Sequence, residues 1–333
     1  MKLFFLLLAL NFSFFSYADS EKNKIKKIVI FGDSLSDNGN YFKASKDSQN
    51  PMPLPPYYLG RATNGMVWAE FLSAALDAKL ENYAHLGALT FGFNAKYPMA
   101  TSMVAQLDEY LNNIFEKNKD LDKTLFVVWA GANNIFTMNY KEPWYTTKKL
   151  WRLSGDLKNS VKKLKEKGAR YVMVANLPDL GNIALTSDVD SYKNMQWFLS
   201  SLTNLDMQWF LSSLTNLENY FINKRVLSLA DHKSDDDFKI IYFDAHKMLK
   251  EFTQNAKKYG FKNTTNSCYP GVPAHLPSPN VACKNPQDYL FWDLVHPSAK
   301  AHCFTAITIQ NLLAKEIETT KPHKEQSEKC LKL

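Results

Sequence analysis

The chain has 333 residues, of which 45% are hydrophobic, 14% aromatic and 22% charged, enough apolar material for a large core and too much for wholesale disorder or a collagen-like structure. Forty Lys and Arg against thirty-three Asp and Glu leave a formal charge of +7. The excess is not clustered, and no helix-turn-helix, zinc-finger or RRM pattern accompanies it, so no nucleic-acid partner is indicated.

The first element is a leader. Lys2 precedes an apolar run from Leu3 to Phe15 and the small-residue sequence Ser16-Tyr17-Ala18, the pattern of a secretory signal cut after Ala18. The run is shorter than the roughly 20 residues that a membrane span needs. Residues 1–18 are therefore expected to be a signal peptide and 19–333 a single domain, secreted or periplasmic.

Beyond the leader, short β-branched or aromatic runs alternate with longer amphipathic stretches, the signature of βαβ units. Strands are predicted over Lys27–Phe31, Leu80–Ala84, Leu125–Ala130, Tyr171–Ala175 and Lys239–Phe243. Helical periodicity marks Trp68–Leu76, Met103–Phe115, Leu150–Lys165 and a long stretch from Tyr192 to Leu227. No linker divides the chain. The pattern implies a single α/β domain with a mostly parallel sheet, and such folds place their sites beyond the carboxyl ends of the strands.

The first strand runs straight into Gly32-Asp33-Ser34-Leu35-Ser36-Asp37. A tight polar turn there exposes the Ser34 hydroxyl at the rim of the sheet, which makes Ser34 a candidate nucleophile, although a Ser-capped helix start would read the same way. Two later strand ends carry candidate oxyanion donors. Gly87 allows a backbone N–H to approach closely, and Asn133, in Gly131-Ala132-Asn133-Asn134, offers a side-chain amide. Near the carboxyl end, Asp293-Leu294-Val295-His296 puts a carboxylate just before an imidazole. A hydroxyl nucleophile needs such a pair: His296 to take the proton, Asp293 to fix the tautomer.

Residues 195–218 contain a tandem duplication, in which Met195–Leu205 recurs as Met207–Leu217. In a straight helix a twelve-residue offset rotates the second copy by about 120°, so the two apolar stripes cannot share one face. One reading is an insertion tolerated at the surface as an extended helix or hairpin; the other is a lipid-facing segment built on Trp197, Phe198, Trp209 and Phe210.

Four cysteines lie in the last fifth of the chain, and in an exported protein they are expected to be oxidised. Cys268 with Cys283 and Cys303 with Cys330 is the preferred pairing because it forms two separate loops. Metal is the weaker explanation, since no CxxC pair exists and His275 and His302 lack ligand spacing. The Cys268–Cys283 loop would contribute about 3 kcal/mol in the chain-entropy model. It ends shortly before Asp293, where it could act as a staple or as a lid that an activating protease clips open.

These blocks together resemble the GDSL or SGNH hydrolase family. Gly32 to Asp37 matches its first block, Gly87 its glycine block, Gly131 to Asn134 its third and Asp293 to His296 its last. The resemblance implies Ser34 as nucleophile, His296 as base and Asp293 as its orienter. It also implies an oxyanion hole of the Ser34 and Gly87 amides and the Asn133 side chain. The fold it implies is a flavodoxin-like three-layer α/β/α sandwich with a mostly parallel five-stranded sheet, and the chemistry uses neither metal nor organic cofactor. Asn134 stands where the family usually has Asp, and Leu86 where a second glycine often sits.

The phrases Thr63 to Trp68, Val127 to Gly131, Asn176 to Gly181 and Leu290 to Asp293 narrow the resemblance to secreted bacterial GDSL phospholipases. That subgroup includes lysophospholipase A enzymes, thermolabile haemolysins and glycerophospholipid:cholesterol acyltransferases. It implies a phospholipid or lysophospholipid substrate met at a membrane or micelle surface, with water or cholesterol accepting the acyl group. Tyr57, Tyr58, Trp129, Phe136, Trp144 and Trp292 are candidates for an apolar trough, against the alternative that they belong to the core. Two rival functions are a carbohydrate esterase of the same superfamily and a lipid-binding protein with a vestigial site.

Overall fold

The computed structural model describes residues 25–113, 120–140, 142–187, 207–229, 238–274 and 281–333. The predicted leader and the first copy of the duplication lie outside them. Five strands, β1 (Lys27–Gly32), β2 (Lys79–Asn82), β3 (Thr124–Trp129), β4 (Tyr171–Ala175) and β5 (Lys239–Phe243), form one parallel sheet in the order β2-β1-β3-β4-β5. That order reverses between β1 and β3, which opens a crevice at their carboxyl ends. Lys27 pairs with Lys79 on one side and Thr124 on the other.

The longer helices are α1 (Trp68–Leu76), α2 (Met103–Asn113), α3 (Pro143–Glu166), α4 (Met207–Leu227), α5 (Ala245–Gln254), α6 (Ala299–Glu316) and α7 (Lys324–Leu331). Strand β1 explains the layering. Its alternate residues point to opposite faces, and Ile28 to Phe31 are all apolar because both faces are covered. Val29 and Phe31 pack with Leu107 of α2, Leu157 of α3 and Leu211 of α4. Ile28 and Ile30 pack with Leu72 of α1 and Ile309 of α6. The result is an α/β/α sandwich with the five-stranded sheet in the middle.

Sequence and structure differ mainly where periodicity is weak. Helix α3 begins at Pro143 rather than Leu150. Its first turn is led by Pro and carries exposed Trp144 and Tyr145, so it shows no apolar stripe to read. A second parallel pair, β6 (Asn263–Ser267) with β7 (Tyr289–Phe291), and helices α6 and α7 were not anticipated. The second copy of the duplication forms the start of α4. Phe210 there meets the ring of Tyr140 at 5.0 Å, which removes it from a lipid-facing stripe, whereas Trp209 is exposed.

Disulfides join Cys268 to Cys283 and Cys303 to Cys330, the second tying α7 to α6. Among the described residues no helix is long and apolar enough to cross a membrane.

Candidate active site

The turn after β1 is built to hold Ser34 still. The Asp33 carbonyl accepts from the Ser36 and Asp37 amides, both at 3.0 Å, and the Asp33 carboxylate accepts from the Leu35 amide at 3.1 Å. Gly32 lies so close to β3 that a Cβ would sit 2.6 Å from the Trp129 carbonyl oxygen. Its amide donates to Gln106 Oε1 at 2.8 Å and its carbonyl accepts from Gln106 Nε2 at 2.9 Å. Sequence reading missed Gln106. A signal for it exists, since it is the polar member of the buried stripe Met103, Gln106, Leu107 and Tyr110.

The segment carrying Asp293 and His296 is wound around a carboxylate. Asp293 Oδ1 accepts from the Val295 amide at 2.7 Å and the His296 amide at 2.6 Å, so the chain curls back and brings the imidazole beside the acid. His296 Nδ1 then lies 2.7 Å from Asp293 Oδ2, and His296 Nε2 lies 2.8 Å from Ser34 Oγ. The three residues, widely separated in sequence, form one hydrogen-bonded chain in which all are buried. Thr63 and Asn64 hold the segment from outside, donating to the Pro297 carbonyl and accepting from the Ala299 amide, both at 2.8 Å.

Tyr57, which the sequence offers only as a trough aromatic, also joins the acid. Its hydroxyl donates to Asp293 Oδ2 at 2.7 Å, and burial together with the Asp293 charge pushes its ionisation well above the ordinary tyrosine range. The six aromatics do not form one trough. Tyr57 bonds the acid, Trp129, Phe136 and Trp292 are buried, and Tyr58 and Trp144 are exposed. A small apolar cavity of about 50 Å³ is walled by Leu35, Trp129, Val295 and Pro297. His302 also lines it; burial foremost, and then His296, pull its pKa down to about 3.

Gly87 comes from the loop after β2, and Asn133 from the first turn of a short helix, Ala132–Phe136, that follows β3. Gly87 has φ +76°, and a Cβ would overlap the Tyr97 ring at 2.2 Å, so the position admits only glycine. Asp37 fixes this loop against the Ser34 turn, since its Oδ2 accepts from the Leu86 amide at 2.6 Å. Among the described residues neither the Ser34 nor the Gly87 amide donates to a protein acceptor. One amide hydrogen of Asn133 goes to the Ala88 carbonyl at 3.1 Å, which leaves a second donor. Asn134 accepts from the Thr90 amide at 3.0 Å and donates to its hydroxyl at 3.1 Å, using both ends of the amide.

Burial raises the Asp33 carboxyl to about 6, opposed by the Leu35 amide and the nearby imidazole of His296. The buried Asp37 is raised as well, by desolvation above all. His85 is a loop histidine whose Nδ1 accepts from the Thr101 amide at 3.2 Å. The arrangement supplies a hydroxyl in contact with an oriented imidazole, and free N–H groups on neighbouring loops.

Comparison with known proteins is consistent with this geometry. The family model described as GDSL-like Lipase/Acylhydrolase matches residues 28–309. A thermolabile hemolysin of Vibrio parahaemolyticus is 26% identical over 299 residues, covering 87% of this chain and 64% of that protein. The chain thus spans less than two thirds of that relative's length. A phosphatidylcholine-sterol acyltransferase of Aeromonas hydrophila is 24% identical over 325 residues, covering 86% of this chain and 89% of that protein. A GDSL esterase/lipase of Arabidopsis thaliana is 25% identical over 327 residues, with 84% of each covered.

Proposed function

Since the chain belongs to the GDSL-like lipase/acylhydrolase family, we propose that it is a serine esterase that cleaves fatty-acyl esters of phospholipids or lysophospholipids through an acyl-enzyme. The observation that carries this is the contact of Ser34 Oγ with His296 Nε2 at 2.8 Å, with Asp293 behind the ring at 2.7 Å. Ser34 Oγ attacks the ester carbonyl while His296 takes its proton, and Asp293 holds the tautomer and stabilises the imidazolium. The oxyanion is received by the Ser34 and Gly87 amides and the Asn133 side chain. A single donor of that kind is typically worth about 2.7 to 4 kcal/mol of barrier. The tetrahedral adduct collapses, His296 protonates the departing alcohol, and the acyl group stays on Ser34. Water then attacks with His296 again as base, releasing the fatty acid.

The phospholipid substrate is supported by the activity for which the Aeromonas relative is named and by the subgroup phrases in the sequence. The two disulfides fit an oxidising compartment, in keeping with export. Ser34→Ala should lower hydrolysis of a lysophospholipid by at least about a thousandfold with the thermal transition unchanged. A fluorophosphonate probe should label the peptide that carries Ser34. Label on another residue, or full activity in Ser34→Ala, would overturn the assignment.

The same relative favours a second reading, in which a sterol hydroxyl replaces water at the acyl-enzyme. Incubation with labelled lysophospholipid and cholesterol separates the two. Mostly free fatty acid supports the hydrolase, and mostly sterol ester supports the acyltransferase.

A further inference from the structure

A groove lined at one end by Leu89 and Asn134, which follow Gly87 and Asn133 closely in sequence, carries three cations parked on aromatic rings rather than on carboxylates. Lys149 Nζ lies 5.0 Å above the Tyr145 ring, the Arg152 guanidinium 4.3 Å above Phe91, and the Arg225 guanidinium 4.0 Å above Trp151. Among the described residues none of the three makes an ion pair, although eleven described pairs exist elsewhere. Ring contacts stiffen a cation and leave free donors that a bound carboxylate would occupy; of the three, Arg225 also donates from Nη1 to the Trp151 carbonyl and the Ser154 hydroxyl.

The groove comprises a cavity of about 270 Å³ that continues into one of about 510 Å³, with Tyr145, Lys149, Arg152 and Asp156 in the walls of both. Asp156 is the acid in these walls. It takes a hydrogen bond from the Thr90 hydroxyl at 2.8 Å, and burial raises its pKa against the opposing pull of that bond and of the Arg152 and Arg225 guanidinium groups.

The inner end of the groove is made by the same loops that present the oxyanion donors. Leu89 and Asn134 line it, one next to Ala88, whose carbonyl holds Asn133, the other next to Asn133 itself.

We propose that the groove of Lys149, Arg152 and Arg225 takes the phosphate of the glycerophosphate alcohol whose acyl ester is cleaved at Ser34. The inference rests on the phospholipid reading above and deepens it: the headgroup end of the substrate is bound by guanidinium and ammonium groups that already sit on aromatic rings. Phosphate suits this set because a guanidinium can grip two of its oxygens at once.

The test compares the wild type with Lys149→Gln/Arg152→Gln on two short-chain substrates that stay monomeric, a lysophosphatidylcholine and the phosphate-free monoacylglycerol with the same acyl group. The ratio of kcat/KM values, lysophospholipid over monoacylglycerol, should fall about tenfold or more in the double variant, mostly through KM. Glycerol 3-phosphate should compete with the lysophospholipid in the wild type and lose that effect in the variant. An unchanged ratio would overturn the groove assignment while leaving the phospholipid reading intact. Inorganic phosphate competing as well as glycerol 3-phosphate would make the groove a general anion site and also overturn it. A wild type that cleaves monoacylglycerol but not the lysophospholipid would instead refute the phospholipid reading, and the groove assignment with it.

Discussion

Tyr57 gives the Asp293 carboxylate a donor besides the imidazole and the two backbone amides, and it does so from a segment far away in the chain. A hydrogen bond to a charged group is worth about 1.5 to 3 kcal/mol. Tyr57→Phe should therefore keep the fold and lower kcat by roughly 10-fold to 100-fold, with KM nearly unchanged, because the oriented imidazole is lost and substrate contact is not. An unaltered kcat would show that the two amides suffice. Among titrating residues, His302 makes the clearest claim. Its folded pKa of about 3 lies below its unfolded value, so the native state excludes a proton that the unfolded chain accepts. Its stabilising contribution is complete above about pH 6.5 and is lost at roughly 1.4 kcal/mol per pH unit as pH falls toward 3. Asp33 runs the other way: with its pKa raised to about 6, it favours the folded state below pH 4 and loses that as pH rises through 6. Denaturation of the wild type against His302→Gln separates the two, since only the wild type should carry the slope from His302; parallel curves would refute it. Ser34, Asp293 and His296 were readable because each sits in a short turn whose spacing is dictated by its own chemistry. Tyr57 was not, since its irregular segment carries no periodicity and its partner lies 236 residues away.

At the scale of elements, α3 is both a wall of the core and the floor of the Asn133 loop. Leu153 is fully buried, and its methyl groups lie 3.2 and 3.3 Å from where a Cβ on Gly131 would be. Leu153→Ala should cost about 2 to 5 kcal/mol of stability, seen as a lower denaturation midpoint. Turnover measured well below that midpoint should fall as well, because the loop that presents Asn133 loses its support. Normal turnover in the destabilised protein would confine Leu153 to packing. The strands were legible because a parallel strand covered on both faces must be apolar throughout, as Ile28 to Phe31 are. Helix α3 was legible only from Leu150, where the stripe of Leu150, Leu153, Leu157, Val161 and Leu164 begins. The cationic groove was invisible to such reading. It is assembled from α3, α4 and the loop after β2, and no local pattern announces which rings the cations will meet.

For the whole molecule, the second copy of the duplication already provides what α3 and the β4 loop need, through buried Met207, Leu211 and Thr215. Removing residues 195–206 should therefore leave the thermal transition and esterase rate close to those of the parent. A large loss in either would mean that the first copy carries structure or substrate contact of its own. The same redundancy bears on how the chain finds its native alignment. Because Met195 to Leu205 and Met207 to Leu217 are identical, either copy offers the same side chains to the first turns of the α4 berth. Discrimination between two threadings twelve residues apart falls to the residues beyond the repeat. Asn219 clasps the Leu177 amide and carbonyl, both at 2.9 Å, and in the slipped threading its place would be taken by Met207, which can do neither. This amide clasp, with the buried Ile222 and Val226 that follow it, thus arbitrates between two alignments that the repeat itself leaves degenerate.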